Sequence, residues 1–187
     1  MDGLDLLSPV LCTLLRATLA VGHLPSSWRE ARVVFILKQG KTSYTEAKSY
    51  RPISLTSFLL KTLEKIIDKH LRDSALGRLP LHENQYGYQS AMSCEQAIYE
   101  LARRAEIAFG HKEIALVTFL DIEGAFDRVS FLSMERALQR RGVETTLTRW
   151  ITSILNNRIV HISKNHCNLG ATVTASCPQS GVLSPLL

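Results

Sequence analysis

The chain has 187 residues, enough for one ordinary domain or a large piece of a bigger one. Hydrophobic residues make up 45% of it and charged residues 21%, a balance that can fill a core and that excludes an intrinsically disordered chain. The formal net charge of +5 suits a polyanionic partner such as nucleic acid, although many basic proteins have no such partner. No apolar run reaches the length of a membrane span, and the four widely spaced cysteines favour reduced thiols in an intracellular protein.

The first half of the chain predicts a helix, a strand and a second helix. The apolar stretch from Leu4 to Val21 predicts a helix that is capped by Ser8. Residues 32–37 (RVVFIL) predict a strand because they are mostly β-branched or aromatic. A basic loop follows, and an apolar stripe at helical spacing then predicts a helix from about Ser57 to Asp73.

Capping residues and apolar runs mark the elements of the second half. Ser93 and Gln96 form a capping box, which predicts a helix that ends near Gly110. The run from Ile114 to Leu120 (IALVTFL) is typical of a strand buried on both faces. The remaining predictions are a helix from Ser130 to Gly142, a helix over 147–156, and two strands, over 158–163 and 171–176, around an Asn-His turn. The predicted elements begin with helices, strands are interleaved later, and there is no regular βαβ repeat. This order indicates an α+β architecture.

Asp121 directly follows the predicted buried strand. An aspartate at the end of a strand projects from a rigid base, which suits it to hold Mg²⁺ while substrate phosphates complete the coordination. From the residues alone, capping of the following turn is the commoner role for such an aspartate. Glu123 shares the strand face of Asp121 and is either a second ligand or, more commonly, a solvated acid. Asp127 precedes the helix that Ser130 begins, so we expect it to cap that helix.

Four segments resemble motifs of one family, and they occur in that family's order. Residues 119–127 (FLDIEGAFD) resemble the first catalytic motif of reverse transcriptases of the non-LTR retrotransposon type. The other segments are residues 49–55 (SYRPISL), 84–89 (NQYGYQ) and 177–187 (CPQSGVLSPLL). The resemblance covers essentially the whole chain. It implies an incomplete right-hand polymerase fold, helix-rich with a small antiparallel sheet, with a fingers-like region over 1–113 and a partial palm over 114–187.

The resemblance also implies RNA-directed DNA polymerase chemistry on an RNA template and a DNA primer. In this family two Mg²⁺ ions activate the primer 3′-hydroxyl and stabilise the pyrophosphate that leaves when dNMP is transferred. Asp121 would ligate both ions with help from the carbonyl of Ile122. The implied dNTP contacts are Arg51 and Lys38 on the phosphates (with Lys41 as an alternative to Lys38), Phe126 as the steric gate against a 2′-hydroxyl, and Gln179 on the sugar and template.

Two departures from the family pattern limit what this chain is expected to do. Ser180 occupies the first glycine position of the Pro-Gln-Gly motif, where a positive φ would strain a serine, and a decayed copy of the element is one explanation. The Tyr-x-Asp-Asp hairpin, which carries the other catalytic carboxylates of the family, has no counterpart, and no adjacent Asp-Asp pair occurs. We therefore expect no measurable polymerase activity from the isolated chain. A non-catalytic remnant that binds nucleic acid through its basic residues 38–69 and a group II intron maturase fragment are the alternatives.

Overall fold

The computed structural model describes residues 3–156, 158–164 and 167–186. These residues form an α+β structure, in agreement with the expected class. The helices are α1 (Gly3–Val21), α2 (Ser26–Arg29), α3 (Phe58–Asp73), α4 (Ala75–Arg78), α5 (Cys94–Gly110), α6 (Phe131–Arg140) and α7 (Thr145–Leu155). The strands are β1 (Glu30–Leu37), β2 (Tyr50–Leu55), β3 (Ile159–Lys164) and β4 (Cys167–Thr172). None of the described helices is long and apolar enough to cross a membrane.

The sheet is mixed, in the order β2-β1-β3-β4. The pairs β1–β2 and β3–β4 are antiparallel, whereas β1 and β3 are parallel and pair Ala31 with Val160. The expectation of a small antiparallel sheet is therefore correct for the pairs β1–β2 and β3–β4 and wrong for the pair β1–β3. The physical reason is the connection: β1 and β3 are separated along the chain by helices α3 to α7, and parallel pairing requires a long crossover of this kind.

The core lies between the helices and the loop that follows β4. One face of α3 buries Leu60, Leu63, Ile67 and Leu71, which recur at helical spacing. Trp150 on α7 is completely buried against this cluster. Cys177 and Leu183, from the loop after β4, belong to the same cluster, so the loop is anchored by apolar burial at both of its ends.

Several predicted element starts are confirmed. Ser93 and Gln96 form a complete capping box at the start of α5, and the side chain of Ser130 caps α6 by accepting a hydrogen bond from the backbone N–H of Ser133. β1, α3 and α7 lie within a few residues of their predicted positions. Gly22 follows α1 with φ of +64°, as expected of a residue that ends a helix.

The segment from Ile114 to Leu120 differs most from its prediction. It forms no strand, and Ile114, Leu116 and Leu120 are 94%, 92% and 92% exposed. A strand buried on both faces needs neighbouring strands and covering layers. Among the described residues no segment pairs with this one, so the prediction of a buried strand before Asp121 is wrong for this structure.

Smaller differences concern the ends of three elements. α1 contains Pro9 and extends to the N-terminal side of Ser8, so Ser8 is not its N-cap. The second strand of the last hairpin is Cys167–Thr172 and not residues 171–176, and the predicted Asn-His turn at 165–166 lies outside the described residues. Residues 50–55 form β2, which the sequence did not predict because Pro52 lacks the N–H that a strand normally donates; β2 is at the sheet edge, where this is tolerated.

Candidate functional site

A cleft of about 550 Å³ lies where the ends of β1 and β2, the turn after Asp121 and the loop after β4 meet. Every site residue predicted from the sequence lines it. These residues are Lys38, Arg51, Asp121, Ile122, Phe126 and Gln179. Several other residues line the cleft without a role there that the sequence predicts, among them Tyr88, Asp127, Ser180 and Gly181. Separate parts of the chain thus converge on one concave surface, which is where ligand sites are usually found.

The two cationic residues of the cleft come from adjacent strands. Arg51 on β2 pairs in register with Ile36 on β1, and Lys38 immediately follows β1. The backbone of Lys38 is fixed by its N–H, which donates to the carbonyl of Ser49 at 2.9 Å. None of the ion pairs found among the described residues includes Lys38 or Arg51. Of the two lysines that the sequence left as alternatives, Lys38 lines the cleft and Lys41 does not.

The loop from Ser176 to Ser184 (the Gln179 loop) is fixed beside the turn that follows Asp121. The N–H of Cys177 donates to the carbonyl of Phe126 at 2.9 Å, and the N–H of Ser176 donates to the carbonyl of Val129 at 3.1 Å. Burial raises the pKa of the Cys177 thiol to about 11, so this cysteine is a packing residue and not a reactive thiolate.

A second set of hydrogen bonds joins the Gln179 loop to β2. The N–H of Ser54 donates to the carbonyl of Gln179 at 3.0 Å, and the hydroxyl of Ser180 donates to the carbonyl of Ser54. The strand that carries Arg51 and the loop that carries Gln179 are therefore held together. Ser180 adopts φ of +92°, the strained conformation that the sequence argument anticipated for a serine at this glycine position.

Glu64 holds the same loop from the side of α3. It is 2% exposed, and its carboxylate accepts a hydrogen bond from the N–H of Val182 at 2.9 Å. Burial raises the pKa of Glu64, against the opposing effects of this hydrogen bond and of the nearby charges of Lys61 and Arg158. Gly181 precedes Val182, and a Cβ at Gly181 would lie 2.6 Å from the Ser184 hydroxyl and 3.3 Å from the carbonyl of Pro178, so a side chain there would force its neighbours to shift. The loop is thus positioned from three sides.

Asp127 has a different partner from the one that the sequence predicted. Ser130 and not Asp127 caps α6. Instead, Oδ1 of Asp127 accepts a hydrogen bond from Nε2 of Gln179 at 3.1 Å. The expectation of a capping role is therefore wrong, and no local sequence signal could have found the observed contact, because its partners are 52 residues apart.

The carboxylate of Asp121 is exposed at the cleft, beside the backbone of Ile122. A carboxylate and a backbone carbonyl are hard oxygen donors, which is the ligand type that Mg²⁺ prefers. The number of donors is too small, however, because the described residues include no group of three or more His, Cys, Asp or Glu side chains able to hold a metal. The residues present fit Mg²⁺ in chemical type and fall short of a complete coordination shell.

Two cations and two carboxylates around one cleft are typical of proteins that bind a phosphate-bearing ligand next to a divalent ion. The profile of the family described as reverse transcriptase (RNA-dependent DNA polymerase) matches residues 36–187, which is most of the chain. The chain belongs to this family.

Its curated relatives are polymerases of non-LTR retrotransposons. A probable RNA-directed DNA polymerase from transposon BS of Drosophila melanogaster is 31% identical, over 95% of this chain and 19% of that protein. The RNA-directed DNA polymerase from mobile element jockey of the same fly is 30% identical over 95% of this chain and 19% of its own length. The Pol polyprotein from the type-1 retrotransposable element R2 of Popillia japonica is 30% identical over 89% of this chain and 23% of its own length. The chain therefore spans about one fifth of the length of these relatives.

Proposed function

We propose that this chain forms the dNTP-binding part of a retrotransposon reverse transcriptase, an RNA-directed DNA polymerase that extends a DNA primer on an RNA template. The observation that carries the proposal is the convergence of Lys38, Arg51, Asp121, Phe126 and Gln179 on one cleft. In the complete right-hand domain, residues 1–113 would belong to the fingers and residues 114–187 to the palm.

The triphosphate would lie against Lys38 and Arg51. The guanidinium of Arg51 presents parallel N–H groups that pair with two phosphate oxygens, whereas the ammonium of Lys38 acts as a point charge. Both residues are at the same end of the β1–β2 pair, which gives the two charges a common rigid base. Neither cation is held by an ion pair among the described residues, so a phosphate does not have to displace a protein carboxylate.

Phe126 would contact the sugar. It is half-buried, packs against the core and also lines the cleft, and the hydrogen bond from Cys177 to its carbonyl fixes its backbone. Because core packing and the fixed backbone keep the ring in place, it can exclude the additional 2′-hydroxyl of a ribonucleotide.

Two Mg²⁺ ions, when bound in the complete domain, would activate the primer 3′-hydroxyl and stabilise the leaving pyrophosphate. Asp121 and the carbonyl of Ile122 would contribute part of their ligand shell. The chain contains no adjacent Asp-Asp pair to supply the remaining carboxylates, so we propose that the 187 residues alone do not polymerise.

Equilibrium binding of a fluorescent dNTP to the purified chain tests the nucleotide site. Arg51→Ala should weaken binding about 10-fold or more, because a charge-assisted hydrogen-bond pair to phosphate is lost. Arg32→Ala is the matched control: it removes the same charge from the neighbouring strand β1, at a position that does not line the cleft. Equal losses in both variants would show that only the overall charge attracts the nucleotide, and would contradict the proposal.

Primer extension tests the proposed inactivity. Purified chain supplied with a primed RNA template, Mg²⁺ and dNTPs should incorporate no nucleotide above background. Incorporation that disappears in Asp121→Ala would show that this chain holds a complete catalytic site, and the claim of inactivity would then be wrong.

A further inference from the structure

The contact between Gln179 and Asp127 restricts which end of the Gln179 amide can face a ligand. Nε2 of Gln179 lies 3.1 Å from Oδ1 of Asp127. An ionised carboxylate only accepts hydrogen bonds, so the group next to it must be the amide nitrogen and not the amide oxygen. The chemistry of Asp127 thereby sets the orientation of the Gln179 amide, and among the described residues no group donates a hydrogen bond to the remaining oxygen, Oε1.

Both partners of this hydrogen bond are rigidly placed. The N–H groups of Asp127 and Arg128 both donate to the carbonyl of Gly124 at 3.0 Å, and Gly124 adopts φ of +67°, which closes a tight turn. Gln179 is held through its own carbonyl by the N–H of Ser54. The orientation of the amide is therefore set before a ligand arrives, which lowers the entropic cost of binding.

We propose that Asp127 is a positioning residue: it fixes the amide of Gln179 so that Oε1 stays available in the cleft to accept a hydrogen bond from a sugar hydroxyl of the bound nucleotide. This inference rests on the proposed dNTP-binding function. In a deoxynucleotide the only sugar hydroxyl is the 3′-hydroxyl, so the pair Asp127–Gln179 would favour nucleotides that carry it over 3′-deoxy analogues. Asp127 itself acts through Gln179 and needs no contact with the nucleotide.

Substitutions at Asp127 separate this role from a purely electrostatic one. Asp127→Ala removes the acceptor, so the amide of Gln179 can turn. Asp127→Asn retains the shape but adds an N–H₂ group, which can donate to Oε1 of Gln179 and turn the amide around. Asp127 is exposed, so neither change removes core packing. Glu123→Gln is the matched control because it removes one negative charge from the same turn, at a residue that does not line the cleft.

The first readout is the side-chain amide signal of Gln179 in an ¹⁵N NMR spectrum of the ligand-free chain, assigned by its loss in Gln179→Leu. In the wild-type chain and in Glu123→Gln, one of the two amide protons should be shifted downfield and exchange slowly compared with the exposed Gln39. In Asp127→Ala both protons should resemble those of Gln39. An unchanged Gln179 signal in Asp127→Ala, with a folded backbone spectrum, would overturn the inference.

The second readout is the ratio of the affinities for dTTP and ddTTP, which differ only in the 3′-hydroxyl. The wild-type chain and Glu123→Gln should prefer dTTP about three- to tenfold, the value of one neutral hydrogen bond. In Asp127→Asn and Asp127→Ala the ratio should fall to about one. A ratio that persists in both variants would overturn the role of Asp127. If the wild-type chain bound neither nucleotide, the proposed function and the assignment of the ligand would both fail, while the amide spectrum would still decide whether Asp127 orients Gln179.

Discussion

Ser180 combines a strained backbone with a compensating hydrogen bond. Its φ of +92° is unfavourable for any residue with a Cβ, and its hydroxyl donates to the carbonyl of Ser54. A glycine at this position would adopt the backbone conformation freely but could not make the side-chain contact. The serine therefore carries backbone strain that a glycine would not, and its hydroxyl links the Gln179 loop directly to β2.

Two substitutions of Ser180 should separate the strain from the hydrogen bond. Ser180→Ala keeps the strain and loses the hydroxyl, so it should lower the free energy of unfolding by about 1 kcal/mol. Ser180→Gly also loses the hydroxyl but relieves the strain, so it should be more stable than Ser180→Ala by about 1 kcal/mol. Urea unfolding measures both, and an alanine variant as stable as the glycine variant would argue against strain at this position.

Glu64 makes the stability of the chain depend on pH. Burial raises its pKa above the ordinary 4.5. At a pH between 4.5 and the raised pKa, the folded chain therefore binds more protons than the unfolded chain. Stability contributed by this group should therefore fall as the pH rises from 4.5 through the raised pKa. Glu64→Gln keeps an oxygen that can accept the hydrogen bond from Val182, and its amide cannot ionise. The stability of this variant relative to the wild-type chain should therefore increase as the pH rises through that window. Thermal unfolding at a series of pH values measures the difference, and a difference that does not change with pH would contradict the assignment.

At the scale of single elements, the sequence was most informative where a local signal determines the structure. The capping box of Ser93 and Gln96 and the hydroxyl of Ser130 act within one turn of the helix they begin, and the sequence predicts both. The stripe of apolar residues predicted α3 for the same reason, because its period depends only on the helix itself.

The elements that were missed depend on residues far away in the chain. The apolar run over 114–120 has the composition of a buried strand, but a strand also needs partners, and none of the described segments provides one. The sequence does not predict β2, although β2 pairs with β1 along its whole length, and the parallel pairing of β1 with β3 joins residues 30–32 to residues 159–161. Composition shows what a segment is able to form and does not identify its neighbours.

Amide hydrogen exchange tests the conformation of the segment over 115–120. The backbone N–H groups of this segment make no hydrogen bonds within the described residues, so they should exchange about as fast as an unfolded peptide. The amide of Val34 in β1, which pairs with Ile53 of β2, is the internal reference and should be protected. Protection of residues 115–120 equal to that of Val34 would show that the segment pairs after all.

At the scale of the whole molecule, one helical core supports the cleft. α3 contributes both four buried apolar side chains and Glu64, which holds the Gln179 loop. The convergence of six site residues was expected only from the resemblance to a family, because their spacing along the chain does not reveal it. The contacts that fix the Gln179 loop were not expected at all, because they join residues as distant as Ser54 and Ser180.

A pair of substitutions on α3 tests the position of this core. Leu63 is 1% exposed, whereas Ile66, three residues further along the same helix, is 53% exposed. Leu63→Ala should lower the free energy of unfolding by about 2–5 kcal/mol because it leaves a cavity. Ile66→Ala should change it by less than about 0.5 kcal/mol. Similar losses in chemical denaturation would mean that Ile66 is as deeply buried as Leu63, and would contradict this position of the core.

The central claim is that one cleft holds the nucleotide, and NMR shift mapping with dTTP tests it most directly. Titration of the ¹⁵N-labelled chain should perturb the backbone amides of Lys38, Arg51, Gly124 and Gln179 together and with one affinity, because these residues surround the same cavity. The cationic surface around Arg136 and Arg140 should stay unperturbed. Shifts centred on that surface, or none anywhere at saturating dTTP, would contradict a nucleotide site in this cleft.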